Sequence, residues 1–193
     1  MIDPASISAY ILAGGRSSRF GSDKARAIVN GQPLIVRVAD GLRTMFRPVR
    51  AVARRAGEYD DLGIATIADL KPDCGPLSGL HAALHHADTP WILLASCDWV
   101  VLEPKWLAAL LRATDADADA VAYRHAYWEP LLALYARSAL PVVESHLQSG
   151  RLAMQQLLDA LRTVALPLPT DWPANAQVNT PEELQAYLSQ QRR

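Results

Sequence analysis

The chain is poor in cysteine and has no long hydrophobic run. Its two cysteines, Cys74 and Cys97, form neither a C-x-x-C pair nor a zinc-ligand spacing, which argues against a disulfide framework or a zinc ribbon. No apolar stretch approaches the roughly 18 to 20 residues that cross a bilayer. The first residues, 1–4, lack the basic segment that opens a signal peptide. We therefore expect a cytoplasmic protein with reduced thiols and no membrane contact.

The chain also lacks an excess of charge of either sign. Nineteen lysines and arginines face 20 aspartates and glutamates, for a net charge of −1. Such a balance gives no general attraction to nucleic acid, so any anion binding must be local. The 193 residues, half of them hydrophobic, suffice for one α/β domain with a proper core, which we expect to span residues 1–193.

The most informative stretch is residues 12–24, which read L-A-G-G-R-S-S-R-F-G-S-D-K. It follows an apolar run, residues 7–12, that predicts a buried strand. The adjacent glycines Gly14 and Gly15 allow a sharp turn that presents bare backbone N–H groups. With two arginines and Lys24 close behind, such a turn is suited to several phosphate charges. The stretch predicts a site for a nucleoside triphosphate.

Two familiar phosphate motifs do not fit this stretch. A P-loop has its lysine directly after the last glycine, whereas Ser22 and Asp23 separate Gly21 from Lys24. The dinucleotide fingerprint G-x-G-x-x-G is not matched by the glycine spacing either. The alternative is a flexible, solvated Gly/Ser-rich surface loop. A first strand that feeds a Gly-rich basic loop favours nucleotide binding instead.

The rest of the chain alternates strands and helices, which predicts an α/β fold. Such alternation implies a mostly parallel, twisted sheet with helices on both faces. The most apolar run, residues 91–96, is the expected central strand, and Asp115, Asp117 and Asp119 are expected in a solvated turn. The predicted strands are residues 7–12, 49–53, 64–68, 91–96, 121–124, 131–135 and 164–168, and the predicted helices are residues 33–46, 77–87, 104–113, 139–148, 151–161 and one that opens at Thr180 with a capping box.

Three acidic or amide residues follow predicted strands or precede the last helix. Ligands of open parallel sheets lie beyond the carboxyl ends of the strands. Asp98 ends the central strand, so its carboxylate should face a bound polyphosphate, and a carboxylate in that position predicts a Mg²⁺ site. The alternative is a helix cap, but Pro104 begins the next helix too far away for Asp98 to cap it. Asp69 follows the third predicted strand and is expected either to face a bound ligand there or to organise its own loop. Asn179 is either a neutral Mg²⁺ ligand or a residue that only flanks the last helix.

Residues 12–24 resemble the signature of nucleotidyltransferases with the sugar-nucleotide pyrophosphorylase fold. The Ala-Gly-Gly turn with Asp-Lys is most similar to molybdenum cofactor guanylyltransferase, also called molybdopterin-guanine dinucleotide synthase. Three further segments fit: residues 75–79 match its Gly-Pro-Leu-x-Gly turn, residues 128–135 its (Gln/His)-Pro-Leu-x-Ala-Leu-Tyr strand, and residues 177–182 its Asn-x-Asn-Thr-Pro-Glu segment. The chain departs from this pattern at Val100, where the family's Cys-Asp-x-Pro has proline, and at Gln177, the first asparagine. It also lacks the asparagine often found on the second strand.

The resemblance implies a three-layer Rossmann-like nucleotidyltransferase. It would transfer GMP from GTP to the terminal phosphate of molybdopterin or Mo-molybdopterin, with Mg²⁺ as cofactor and release of pyrophosphate. Molybdoenzyme chaperones or molybdopterin-delivering proteins are the implied protein partners. The implied catalytic residues are Arg19, Lys24 and Asp98, the implied metal ligands are Asp98 and Asn179, and the implied nucleotide-binding residues are Leu12, Ala13, Gly14, Gly15, Lys24, Asp69, Gly75, Pro76 and Leu77.

Other functions stay open at this point. A molybdopterin cytidylyltransferase or another nucleotidyltransferase acting on a phosphorylated small molecule shares the fold, and a non-catalytic relative that binds nucleotide or cofactor is a third possibility. His81, His85 and His86 lie at helical spacing, but no carboxylate or thiolate is set among them to complete a metal site. They are expected to be ordinary surface or core residues.

Overall fold

One central sheet dominates the fold. The computed structural model describes residues 3–13, 20 and 23–191. The strands found there are β1 (Ser8–Leu12), β2 (Ile28–Val29), β3 (Gln32–Pro33), β4 (Val49–Ala53), β5 (Thr66–Ala68), β6 (Trp91–Ser96), β7 (Ala120–Arg124), β8 (Trp128–Ala136) and β9 (Thr163–Pro167). Seven of these described strands form the sheet, in the order β5-β4-β1-β6-β8-β7-β9, and β2 pairs with β3 in a hairpin.

The sheet is mostly parallel, as the sequence predicts. The pairs β1–β4, β1–β6, β4–β5 and β7–β9 are parallel. Only β8 runs in the opposite direction, against both β6 and β7. All six residues of β6 are buried and the strand is fourth in the order, which confirms it as the central strand. Because β8 is antiparallel to β6, its first residues lie at the edge where β6 ends.

Helices cover both faces of the sheet, which confirms the three-layer α/β fold. The helices of the described chain are α1 (Leu34–Arg43), α2 (Pro76–His86), α3 (Pro104–Arg112), α4 (Leu140–Gln148), α5 (Met154–Ala160) and α6 (Pro181–Gln191). Buried side chains of α1 and α3 share one core cluster, and those of α2, α4 and α5 share the other. None of the helices in the described residues is both long and apolar enough to cross a bilayer.

The hairpin turn and two of the helix starts have clear physical causes. Asn30 and Gly31 both adopt positive φ, at 50° and 82°, as the tight turn between β2 and β3 requires. Pro104 and Pro181 each occupy a first-turn position of their helix, where a missing N–H costs nothing. The prediction was wrong for residues 151–153, which precede α5 rather than belong to it.

The expected solvated turn at residues 115–119 is only partly correct. Asp115 and Asp117 are exposed, but Asp119 is buried. Its carboxylate accepts hydrogen bonds from Arg162 Nε and Nη2, both at 2.9 Å, and from the Ser138 hydroxyl at 2.7 Å. These charge-assisted contacts tie the start of β7 to β9, so Asp119 is a structural residue of the sheet.

Replacing Asp119 by alanine is expected to lower the free energy of unfolding by about 1–3 kcal/mol, because Arg162 and Ser138 lose their acceptor. Arg162, followed by Ser138, lowers the pKa of Asp119 to about 2, so this stabilisation persists as the pH falls to about 4. Denaturant unfolding of the variant measures the loss. The exposed Asp117→Ala variant is the matched control, and equal stabilities of the two variants would contradict the assignment.

Candidate active site

The carboxyl ends of three parallel strands meet beside one cleft. Leu12, the last residue of β1, is the register partner of Val52 in β4 and of Ser96 in β6. The alignment continues into the loops, where Cys97 N–H donates to the Leu12 carbonyl at 3.1 Å. A cleft of about 640 Å³ opens at this edge. Its described lining residues are Leu12, Ala13, Phe20, Lys24, Ala25, Val52, Ala53, Arg54, Asp69, Pro72, Asp73, Gly75, Pro76, Gly79, Ser96, Cys97, Asp98, Leu131 and Asn179.

Lys24, Asp98 and Asn179 form a hydrogen-bonded cluster in this cleft. Lys24 Nζ donates to Asp98 Oδ2 at 3.0 Å and to Asn179 Oδ1 at 3.1 Å. The side chains of Lys24 and Asp98 are only 13% and 16% exposed. A charge pair so shielded from water interacts more strongly than one on the surface. Lys24, expected to bind phosphate, is therefore in direct contact with both expected metal ligands.

Asp23 and Tyr59 hold Lys24 in place. Asp23 accepts a hydrogen bond from Ala25 N–H at 3.0 Å and thereby caps the short 3₁₀ helix, Lys24–Arg26, on which Lys24 lies. The buried Tyr59 places its hydroxyl 3.2 Å from Asp23 Oδ2 and 3.1 Å from the Ala13 carbonyl. Tyr59 thus links the end of β1 to the residue that caps the Lys24 helix. No sequence motif points to this role.

Backbone hydrogen bonds bring Asn179 to Asp98. Val178 N–H donates to the Asp98 carbonyl at 3.1 Å, and Val100 N–H donates to the Ala176 carbonyl at 2.9 Å. A proline at position 100 could not make the second bond, because proline has no N–H. The departure at Val100 therefore adds a contact instead of removing one. The Ser96 hydroxyl completes the arrangement by donating to Asp98 Oδ1.

Asp69 lies at the cleft and also organises its loop. Its Oδ1 accepts from Lys71 N–H at 2.9 Å and from the Ser78 hydroxyl. Gly75 and Pro76 line the cleft as predicted, and Gly75 has a positive φ of 66° that favours glycine. The Leu77 side chain is different: it is fully buried among the core residues of α2. Its side chain therefore packs in the core and does not line the cleft.

Three predicted residues, Gly14, Gly15 and Arg19, lie outside the described residues. Arg54 lines the cleft at the end of β4, with Nη2 at 3.3 Å from Asp73 Oδ1. The asparagine that the family often carries on its second strand is absent from β4, and Arg54 is the polar residue that directly follows β4.

The described part of the cleft offers no activated covalent nucleophile. Burial, and then the charge of Asp98, raise the pKa of Cys97 to about 12, so its thiol stays protonated near neutral pH. No histidine is among the described residues that line the cleft. A nucleophile activated by an adjacent base is therefore lacking in this part of the chain. The arrangement suits direct transfer between bound substrates.

Comparison with known proteins decides the family. The model of the MobA-like NTP transferase domain matches residues 9–164. The chain belongs to this family. A probable molybdenum cofactor guanylyltransferase of Deinococcus radiodurans is 38% identical over 160 residues, covering 82% of each chain. The molybdenum cofactor guanylyltransferase of Vibrio cholerae is 31% identical over 189 residues, covering 96% of this chain and 93% of its own. Family membership makes the chain a nucleotidyltransferase.

Solved structures of the family and its neighbours have the same fold. Molybdopterin-guanine dinucleotide biosynthesis protein A from Archaeoglobus fulgidus is similar with a TM-score of 0.82 at 26% identity, over 96% of this chain and 99% of that one. The 4-diphosphocytidyl-2C-methyl-D-erythritol synthase of Anaerococcus prevotii matches with a TM-score of 0.73 at 13% identity, over 99% and 100% of the two chains. The second likeness concerns the fold alone.

Glu129 and Gln177 are partners close to the cluster. Glu129 stands in β8 where the family strand has Gln or His, and Gln177 replaces the first asparagine of the family's Asn-x-Asn segment. Gln177 Nε2 donates to Glu129 Oε1 at 3.4 Å, and Gln177 also forms a β-bridge with Trp99. Burial raises the pKa of Glu129 to about 7, with a further contribution from the negative charge of Asp98.

Glu129→Gln is expected to change how stability depends on pH. The unfolded carboxyl titrates near 4.3, whereas the folded one titrates near 7, so wild-type stability falls as the pH rises between these values. The variant lacks this titration, so its stability should not fall in the same way. The difference in unfolding free energy, variant minus wild type, should therefore increase by about 2 kcal/mol from pH 5 to pH 8. Denaturant titrations across this range measure the difference, and parallel curves for the two proteins would contradict the raised pKa.

Proposed function

We propose that the chain transfers GMP from GTP to the terminal phosphate of molybdopterin and releases pyrophosphate. The observation that carries the proposal is the contact of Lys24 Nζ with Asp98 and Asn179 inside the cleft. This cluster supplies the charges that a triphosphate and its counter-ion need. The names of the relatives, molybdenum cofactor guanylyltransferase, support guanine as the base and the molybdenum cofactor as the product.

The reaction needs alignment and charge stabilisation more than acid–base chemistry. An oxygen of the molybdopterin phosphate attacks the α-phosphorus of GTP, and the bond from that phosphorus to the β-phosphate oxygen breaks. The attacking oxygen is already anionic near neutral pH, so no general base is required. Lys24 can neutralise the negative charge that grows on the departing pyrophosphate. Asp23 and Tyr59 keep Lys24 aligned for this task.

The cluster also fits a magnesium ion. Asp98 Oδ2 and Asn179 Oδ1 converge on one cationic atom, Lys24 Nζ, so these two oxygens are directed at a place that favours positive charge. One carboxylate and one amide oxygen leave the remaining positions to water and phosphate, which is how Mg²⁺ is usually bound. When bound by Asp98 and Asn179, the ion would withdraw charge from the phosphates.

Guanine recognition belongs on the side of the cleft formed by β4 and the loop before α2. Asp69 and Asp73 line this side together with Arg54. A carboxylate can accept two N–H bonds from a guanine edge, an arrangement that the other bases do not offer in the same way.

Lys24→Met and Asp98→Asn are each expected to lower the rate of GMP transfer by about 10²-fold or more, because each removes a charge that acts on the phosphates. Lys105 and Asp171 form an exposed ion pair away from the cleft, so Lys105→Met and Asp171→Asn are matched controls with unchanged rates. Pyrophosphate release with GTP, Mg²⁺ and molybdopterin is the measurement. Cleft variants that keep the wild-type rate and fold would refute the site.

Assaying all four nucleoside triphosphates against molybdopterin tests the choice of base. We expect pyrophosphate release with GTP and at least about tenfold less with CTP, because cytosine lacks the paired N–H donors of guanine. Preference for CTP would identify a cytidylyltransferase instead. Release only with a sugar phosphate as acceptor would overturn the proposed substrate, and tight GTP binding without release would indicate a non-catalytic relative.

A further inference from the structure

A second polar cluster lies on α2 and α4, outside the described lining of the cleft. His81 and His85 are one helical turn apart on α2, and Glu144 belongs to α4. Glu144 Oε1 is 3.1 Å from His85 Nε2 and 3.7 Å from His81 Nε2. One potential ligand atom from each residue lies within 4.8 Å of the other two. The carboxylate of this cluster comes from a helix that is distant in sequence.

Core packing holds these three side chains in register. Buried residues of both helices, among them Leu80, Leu84, Val143 and Leu147, belong to the same hydrophobic cluster. The His81 side chain is only 8% exposed, while those of His85 and Glu144 are about two-fifths exposed, at 42% and 41%. The group is thus fixed on its inner side and open to water on its outer side. A metal site that keeps one position for water has this form.

Neither protonation state of the neutral His81 ring satisfies both of its nitrogens. Its Nδ1 is buried without a partner, while Nε2 faces the same carboxylate oxygen that His85 contacts. If Nε2 carries the proton, it competes with His85 for this oxygen and leaves Nδ1 unpaired. If Nδ1 carries the proton, the Nε2 lone pair faces an anionic oxygen. A cation between Nε2 and Oε1 removes this second conflict.

The protonation state favours metal binding. Burial, and then the charge of His85, lower the pKa of His81, and Lys71 acts in the same direction against the opposing effect of Glu144. A neutral imidazole is the form that ligates metals.

We propose that His81, His85 and Glu144 bind a zinc ion. Tetrahedral zinc with bonds of about 2.0–2.1 Å separates neighbouring ligand atoms by about 3.3 Å, which falls between the two distances seen here. The set of two histidines and one carboxylate, with water in the fourth position, matches the ligand chemistry of zinc. Ala82 stands where H-E-x-x-H metalloproteases carry their catalytic glutamate, so the ion is structural or regulatory. It would connect α4 to α2, whose residues Pro76 and Gly79 line the cleft.

Titration of the chelator-treated full chain with zinc chloride in a calorimeter tests the site. We expect one equivalent per chain with a dissociation constant in the micromolar range or below. His85→Ala and Glu144→Gln should each weaken binding by more than about tenfold. Both side chains are partly exposed, so these variants should fold. His86→Ala, which changes the neighbouring exposed histidine of α2, is the matched control and should bind zinc like wild type.

The Asp98→Asn variant changes the cleft and leaves the proposed zinc ligands intact. It should therefore still bind one equivalent of zinc per chain. Replacement of zinc by cobalt should give the visible absorption of four-coordinate cobalt in wild type and not in His85→Ala. Saturating zinc should also raise the melting temperature of wild type by about 5 °C and leave that of Glu144→Gln unchanged. Equal zinc binding by wild type and both cluster variants, loss of the ion in Asp98→Asn, or no binding at all would each overturn the proposal.

Discussion

The contact of one ammonium group with a shielded carboxylate and an exposed amide is the interaction on which the account depends. Lys24, Asp98 and Asn179 come from three parts of the chain that are 74 and 155 positions apart from Lys24. Bringing the charged groups of Lys24 and Asp98 out of water is costly unless each finds a partner, and here they pair with each other. The contact therefore requires the correct positions of the first loop, the central strand and the segment before α6.

The sheet creates these positions. Parallel strands β1, β4 and β6 end at the same level, so the loops that follow them share one edge. The antiparallel β8 starts at this edge and contributes Glu129 and Leu131, and the Trp99 indole donates to the Leu131 carbonyl at 2.8 Å. The backbone bonds between residues 98–101 and 176–178 then fix the last segment. The strands and the hydrogen-bonded segments 23–26, 98–101 and 176–178 hold the charges in place, which is what transfer by electrostatic alignment needs.

Much of this could be predicted from sequence. Apolar runs and helix-start prolines gave the order of strands and helices, and the rule that ligands bind at carboxyl ends placed Asp98 and Lys24 in one cleft. Asn179 could not be decided, because its neighbours fit a helix cap equally well. In the structure its backbone N–H donates to Glu183 in the first turn of α6, and its side chain contacts Lys24 in the cleft.

Contacts between distant side chains were beyond such reasoning. Tyr59 shows no motif, yet its hydroxyl joins Ala13 to Asp23. Asp119 appeared to be one of three similar turn residues, but pairing with Arg162 makes it structural. No carboxylate is set among the histidines of α2, and Glu144 reaches them only because α2 and α4 pack together. In each case the decisive partner is remote in sequence.

A crystal structure of the chain soaked with GTP and Mn²⁺ tests the central claim most directly, since manganese takes the place of magnesium and is visible by its anomalous scattering. The account predicts one anomalous peak at the oxygens of Asp98 and Asn179, next to triphosphate oxygens that contact Lys24. A triphosphate bound elsewhere, or a metal peak in the cleft that Asp98 does not touch, would contradict it.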